Sequence, residues 1–208
     1  MPINIEITSS RLLLVEGKDT LKFFEAAHEK MGSPGIQILD FGGIKELLSF
    51  LGALKVNSGF IQLVKSIGIV RDAELDAKAA FASVCGSLQR VKLPVPRRPG
   101  VAVDGPPRVN VLILPDNTNP GMLEDLCLGS VADAPVISCI DEFFACVQKR
   151  QGYIPGNKSK AKLRVFLASR KDPTKLPGNA LKADYIPWKH PHFDHIKRFL
   201  EDLLKSGN

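Results

Sequence analysis

The sequence has no apolar run approaching the roughly 20 residues that cross a bilayer. Its longest, such as LLLV (12–15) and VISCI (136–140), are a fraction of that length. The opening MPINIEITSS lacks the basic start and apolar stretch of a secretory signal. A membrane or secreted protein is therefore not expected, and a cytoplasmic one is. Only four cysteines occur, Cys85, Cys127, Cys139 and Cys146, with no CxxC pair among them. That spacing excludes a zinc ribbon or a disulfide scaffold and predicts buried free thiols. EGKDT (16–20) places Gly-Lys after an apolar run, but no glycine-rich cradle precedes it and Asp19 stands where a P-loop needs Ser or Thr. No Ser/His/Asp or Cys/His arrangement sits in a recognisable strained turn. Internal repeats and low-complexity tails are also missing.

What is present is the make-up of an ordinary globular chain: 208 residues, 44% hydrophobic and 24% charged, enough for one large domain or a domain with an appendage. The formal charge of +6 is unevenly placed. Residues 1–90 hold ten Lys/Arg and ten Asp/Glu, whereas residues 158–208 hold twelve against five. A basic C-terminal quarter attracts phosphates and speeds encounters with nucleic acid.

Two periodicities alternate along the first ninety residues. RLLLVEG, IQILDFGG and IGIVRDAELD are strand-like, whereas DTLKFFEAAHEKM, IKELLSFLGALK and AKAAFASVCGSLQRV have helical spacing. GSPG (32–35) stops the first helix. Lys92–Arg108 contains five prolines and two glycines and reads as a long loop, after which VNVLILPDN supplies a fourth strand. Buried strands alternating with amphipathic helices predict an α/β fold: a mainly parallel four-stranded sheet with helices on both faces. MLEDLCLGS, VISCIDEFFACVQKR, KAKLRVFLASRK and PHFDHIKRFLEDLLK are read as helices. The expected organisation is an α/β core over 1–130, including the Pro-rich loop 93–108, and a basic, mostly helical extension over 131–208 packed on it.

The strand ends carry acids: Glu16, Asp40, Asp72 with Glu74 and Asp76, and Asp116. In a parallel sheet these ends lie along one edge, where ligands collect. If DAELD starts extended, residues 72, 74 and 76 project to one side. Two like charges about 4 Å apart repel by roughly 4 kcal/mol at an effective dielectric near 20, so such a cluster needs cations. Lys18 and Arg71 are near in sequence, and a hard divalent ion, magnesium or manganese, suits oxygen donors of this kind. Helix capping is the alternative use of an acid after a strand, and Asp19 and Asp76 fit it. Gly42 and Gly43 suit a tight turn beside the acids. WKHPHFDH gathers His190, His192 and His195; the last two, three apart on an expected helix, face either a metal or the packed surface.

VEG after an apolar strand, GG after the next and IVRDAELD after the third resemble the TOPRIM domain of topoisomerases, bacterial primases, a ribosomal-RNA maturation nuclease and the OLD (overcoming lysogenisation defect) nucleases. LLLVEGKDTLKFF, GGIKELLSFLGAL, IGIVRDAE, LILPDN, GMLEDL and KAKLRVFLAS together resemble an uncharacterised bacterial family of stand-alone TOPRIM-like proteins, over nearly the whole chain. The resemblance implies that Glu16 binds metal or acts as general acid or base. It also implies that Asp72 and Glu74 bind magnesium or manganese, with Asp76 a third candidate, and that Lys160 assists the reaction. The implied function is a magnesium-dependent nuclease or phosphotransferase acting on DNA or RNA phosphodiesters. One departure is visible: TOPRIM proteins often carry another acid four positions after the glutamate, where this chain has Thr20. The alternative it favours is a weak or inactive binding or regulatory protein that works with nucleic acid or with a separate ATPase, a module OLD nucleases carry in the same chain.

Overall fold

The computed structural model describes residues 5–32 and 35–205, so Ser33 and Pro34 of the first stop signal, and residues 1–4 and 206–208 of the two expected regions, lie outside it. Four strands, β1 (Arg11–Val15), β2 (Gln37–Asp40), β3 (Ser66–Asp72) and β4 (Arg108–Leu114), form one sheet in the order β2-β1-β3-β4. Every pairing is parallel, as the continuous apolar runs predicted. Between them run α1 (Lys18–Met31), α2 (Ile44–Lys55), α3 (Ser58–Leu63) and α4 (Ala77–Arg90). The chain leaves β1 toward β2 on one side and returns across it to β3 on the other. Strand order therefore reverses between β1 and β3, and ligands of open α/β sheets gather outside the carboxyl ends at such a point.

Alternation along each strand divides the core in two. Leu12, Leu14, Ile67, Ile69, Val109 and Val111 pack with the apolar faces of α2, α3 and α4. Leu13, Val15, Val70, Leu112 and Leu114 face the other way, onto α1 and the helices that follow β4. These are α5 (Leu123–Gly129), α6 (Val136–Gln151), α7 (Lys158–Ala168), α8 (Pro177–Lys182) and α9 (Asp194–Leu204). The C-terminal helices thus complete the second face of the sheet. Among the described residues no helix is long and apolar enough to cross a membrane.

The last helix crosses the middle of the sheet. Ile196, Phe199, Leu200 and Leu203 repeat at helical spacing and are buried. They come close because β3 carries Gly68: a Cβ there would stand 2.8 Å from Phe199 Cζ and 3.1 Å from Leu13 Cδ1. Polar contacts fix the position. Arg108 donates from Nη1 and Nη2 to the two Asp202 carboxylate oxygens at 2.9 and 2.8 Å, Asn110 Nδ2 donates to Oδ2, and Ser66 Oγ donates to Leu203 O.

Helix α8 lies outside the expected helices, and one expectation needs correction. Pro177 opens α8, where a helix tolerates proline. Gly178 is needed because the backbone of Lys22 on α1 presses against it. The thiols are all free, but only Cys127 is buried; Cys139 and Cys146 are exposed, since α6 buries little beyond Ile140 and Phe144.

Candidate functional site

Glu16 follows β1 directly and is held by three loops. Asp40, paired in register with Val15, accepts hydrogen bonds at Oδ1 from the N–H groups of Gly17 (2.9 Å) and Gly42 (2.8 Å). Gly42, at φ 83°, turns the chain so that Gly43 caps α2 and the Ile44 N–H donates to Glu16 Oε1 at 3.1 Å. From β3, Arg71 brings Nε to 3.7 Å from Glu16 Oε2, too far for a hydrogen bond, while its Nη1 donates to Ala80 O. Burial is the main reason the Glu16 carboxyl lies above its ordinary pKa, with Arg71 opposing the shift and Glu74 adding to it.

Asp72 ends β3 and accepts the Leu123 N–H at 3.0 Å, which ties it to the start of α5. Its pKa is pushed up to about 7, first by burial and then by the negative field of Glu124, Glu16 and Glu74. The extended run assumed for DAELD breaks at Glu74, whose φ is 53° and whose backbone N–H and C=O pair with Gly121. Glu74 stays beside the site. Asp76 does not: its Oδ1 caps α4 by accepting from Lys78 N and Ala79 N, and its place among the metal ligands is not supported.

Glu16, Asp72 and Glu74 line one cleft of about 390 Å³, together with Lys18, Asp19, Thr20, Glu124, Asn157 and Lys160. Lys160, on the first turn of α7, reaches Asp19 Oδ2 at 3.8 Å and Glu124 Oε1 at 3.7 Å. Asn157 caps α7 by accepting the Lys160 N–H. Among the described residues no three His, Cys, Asp or Glu side chains stand close enough to hold a metal ion as they are. The cleft nevertheless offers carboxylate and amide oxygens and no thiolate or imidazole, a donor set that fits magnesium or manganese completing its shell with water.

The other strand-end acids are occupied elsewhere. Asp116 accepts from Thr118 and Asn119 through backbone and side chain. Those bonds outweigh burial and bring its pKa down to about 2. His190 lies ahead of the helix and caps a short 3₁₀ turn, and His195 Nε2 donates to Pro115 O at 2.7 Å, so the histidines do not converge on a metal. Glu124 is the acid that sequence reasoning missed. It is only 6% exposed, and MLEDL offers two acids in a first helical turn without telling which one faces inward.

A family model described as "Protein of unknown function (DUF3226)" matches residues 10–205. The chain belongs to this family. The match to the DUF3226 model takes in every described strand and every helix that lines the cleft. No curated protein and no solved structure gives a significant match to the sequence.

Proposed function

We propose that this DUF3226 protein is a magnesium- or manganese-dependent nuclease of TOPRIM type, acting on DNA or RNA phosphodiesters in the cytoplasm. The observation that carries the reading is the convergence of Glu16, Asp72 and Glu74, from two strands more than fifty residues apart, in one cleft at the strand-order reversal. Asp72 and Glu74 would hold the ion, with Glu16 as its third carboxylate or as a proton relay. When bound, a divalent ion polarises a phosphoryl oxygen and makes a water molecule acidic enough to attack. Glu16, whose carboxyl is held above its ordinary pKa by burial, lines the same cleft and would relay the proton. Lys160, across the cleft, is placed to offset negative charge developing on phosphorus.

The test is cleavage of plasmid and of short RNA by the purified protein in magnesium, manganese or EDTA, beside Glu16→Gln and Asp72→Asn. Metal-dependent cleavage lost in both variants supports the reading. Equal traces of cleavage in all three proteins would reject it in favour of a second reading, a binding or regulatory role with nucleic acid or a separate ATPase. Thr20 favours that second reading: it is 5% exposed and lines the cleft where related enzymes often carry another acid.

A further inference from the structure

The carboxylate cleft is not isolated. A hollow of about 280 Å³ between α7 and the loop entering α8 shares Asp19, Glu124 and Lys160 with it. On its other side a hollow of about 420 Å³ shares Glu74, Met122 and Asn157. A fourth, of about 330 Å³, continues from that one through Asp125, Lys158 and Ser159. The four follow one another around the N-terminal end of α7, from the side of Leu163, Arg164 and Leu167 to the side of Lys158, Ser159 and Lys162, with the acids between. Each is at or near the lower end of the about 300–1,000 Å³ of ligand pockets, and together they make a trough.

The chemistry of the walls changes along this trough. Lys158, Lys160, Lys162 and Arg164 come from α7, and Lys175 faces Arg164 from the adjoining loop. Among the described residues the side chains of Arg164 and Lys158 have no ion-pair or hydrogen-bond partner, whereas Lys160 meets Asp19 and Glu124, Lys162 is held by Asp141 at 2.7 Å and Lys175 by Asp172 at 2.9 Å. Beneath Arg164 the hollow is apolar, walled by Leu163, Leu167, Pro173 and Pro177, with Leu176 half exposed at its rim. Free cations track a phosphate backbone, and apolar surface takes the face of a base. A duplex offers its phosphates to such a wall but keeps its base faces stacked inside.

We propose that this trough binds single-stranded nucleic acid, with one unstacked base in the apolar hollow below Arg164 and the strand continuing on both sides of the carboxylate cleft. The proposal rests on the nuclease reading for the identity of the polymer, and it adds the strandedness of the substrate. Because the trough runs on past the acids in both directions, the strand needs no free end in the cleft.

The test separates binding from cleavage. Fluorescence anisotropy in EDTA compares labelled 12-nucleotide DNA and RNA single strands with the matching duplexes, using the full chain. Single strands of either sugar are expected to bind at least tenfold tighter than duplex. Arg164→Glu and Leu176→Ser should each weaken strand binding at least fivefold. Arg90→Glu, the same charge change at the far end of α4 on the opposite face of the sheet, should alter it less than twofold. Equal affinity for strand and duplex, or equal losses for Arg164→Glu and Arg90→Glu, would overturn the trough. Circular single-stranded DNA, added with manganese, should then be linearised. Arg164-dependent strand binding without any metal-dependent cleavage would retain the trough and remove the nuclease reading.

Discussion

Replacing Asp72 by asparagine should stabilise the fold at neutral and alkaline pH in the absence of metal. In the folded protein its carboxyl titrates near 7, against an ordinary value of 3.8. Between those values the folded state binds more protons than the unfolded chain, so this group's contribution falls as pH rises from about 4 to about 7. About three pKa units correspond to a ceiling of roughly 4 kcal/mol at 1.36 kcal/mol each. The residue lies on the wall of an open cleft, and water screening should reduce this to about 1–3 kcal/mol. Asparagine keeps an oxygen to accept the Leu123 N–H, so the substitution removes the charge and little else. For a chain of this length each kcal/mol moves Tm by about 2–4 °C, so a rise of roughly 2–12 °C is expected at pH 8. Thermal melts in EDTA should be run for both proteins from pH 4 to pH 8. The two curves should nearly coincide at the acid end and separate toward pH 7, with the variant the more stable. A difference that does not change with pH, or a less stable variant at pH 8, would refute the argument that burial and neighbouring acids burden this carboxylate.

Gly68→Ala should cost about 1–3 kcal/mol, read from the urea midpoint, because the new methyl meets Phe199 and Leu13 in a packed layer. Asp76→Ala should cost about 1 kcal/mol through loss of the α4 cap while leaving metal-dependent cleavage within twofold of wild type; a tenfold loss would return Asp76 to the site. Lys160→Met should lower cleavage by roughly 100–1,000-fold at saturating manganese, the range for losing one charge-stabilising group. It should also tighten manganese binding in calorimetry, since one cation fewer faces Asp19 and Glu124.

Much of the fold was legible because the strands are buried on both faces and their sequences are correspondingly continuous. RLLLV, SIGIV and RVNVLIL bury nearly all of their side chains, and the amphipathic helices between them leave parallel pairing as the short connection. Tertiary packing decided what was not legible. Nothing local in LPGNALK announces a helix; α8 exists because α1 gives it a surface, with Lys182 paired to Glu29 and Asp184 to Lys30. Helix α6 looks like a core helix in sequence, yet its side chains other than Ile140 and Phe144 meet little protein, which is why two expected buried cysteines face solvent. At the site, Glu16, Asp72 and Lys160 were legible from strand ends and from family resemblance. The separation of Glu74 from Asp76 was not, because it turns on one left-handed residue that no propensity demands of a glutamate.

The register of the sheet explains why the acids meet where they do. Val15 lies opposite Asp40 on one side and Val70 on the other, so the residue after β1 enters the gap where strand order reverses. A slip of one residue would turn Leu13 and Val15 to the wrong face and carry Glu16 away from Arg71, so the hydrophobic pattern that specifies the core also specifies the site. Arg71 is what meets Glu16 there, yet at 3.7 Å it compensates that carboxylate only loosely. Five carboxylates line the cleft against two lysines, and Arg71 stands behind them. At a pH where all five are ionised, and with all three cations counted, two negative charges are left without an opposite, the charge of one divalent ion. The only structural return is one backbone hydrogen bond each for Glu16 and Asp72, which an amide side chain would also accept. The acids have a further return if the cleft receives a cation, and that is the physical sense in which the Asp72→Asn melts and the metal-dependent cleavage assays test one idea.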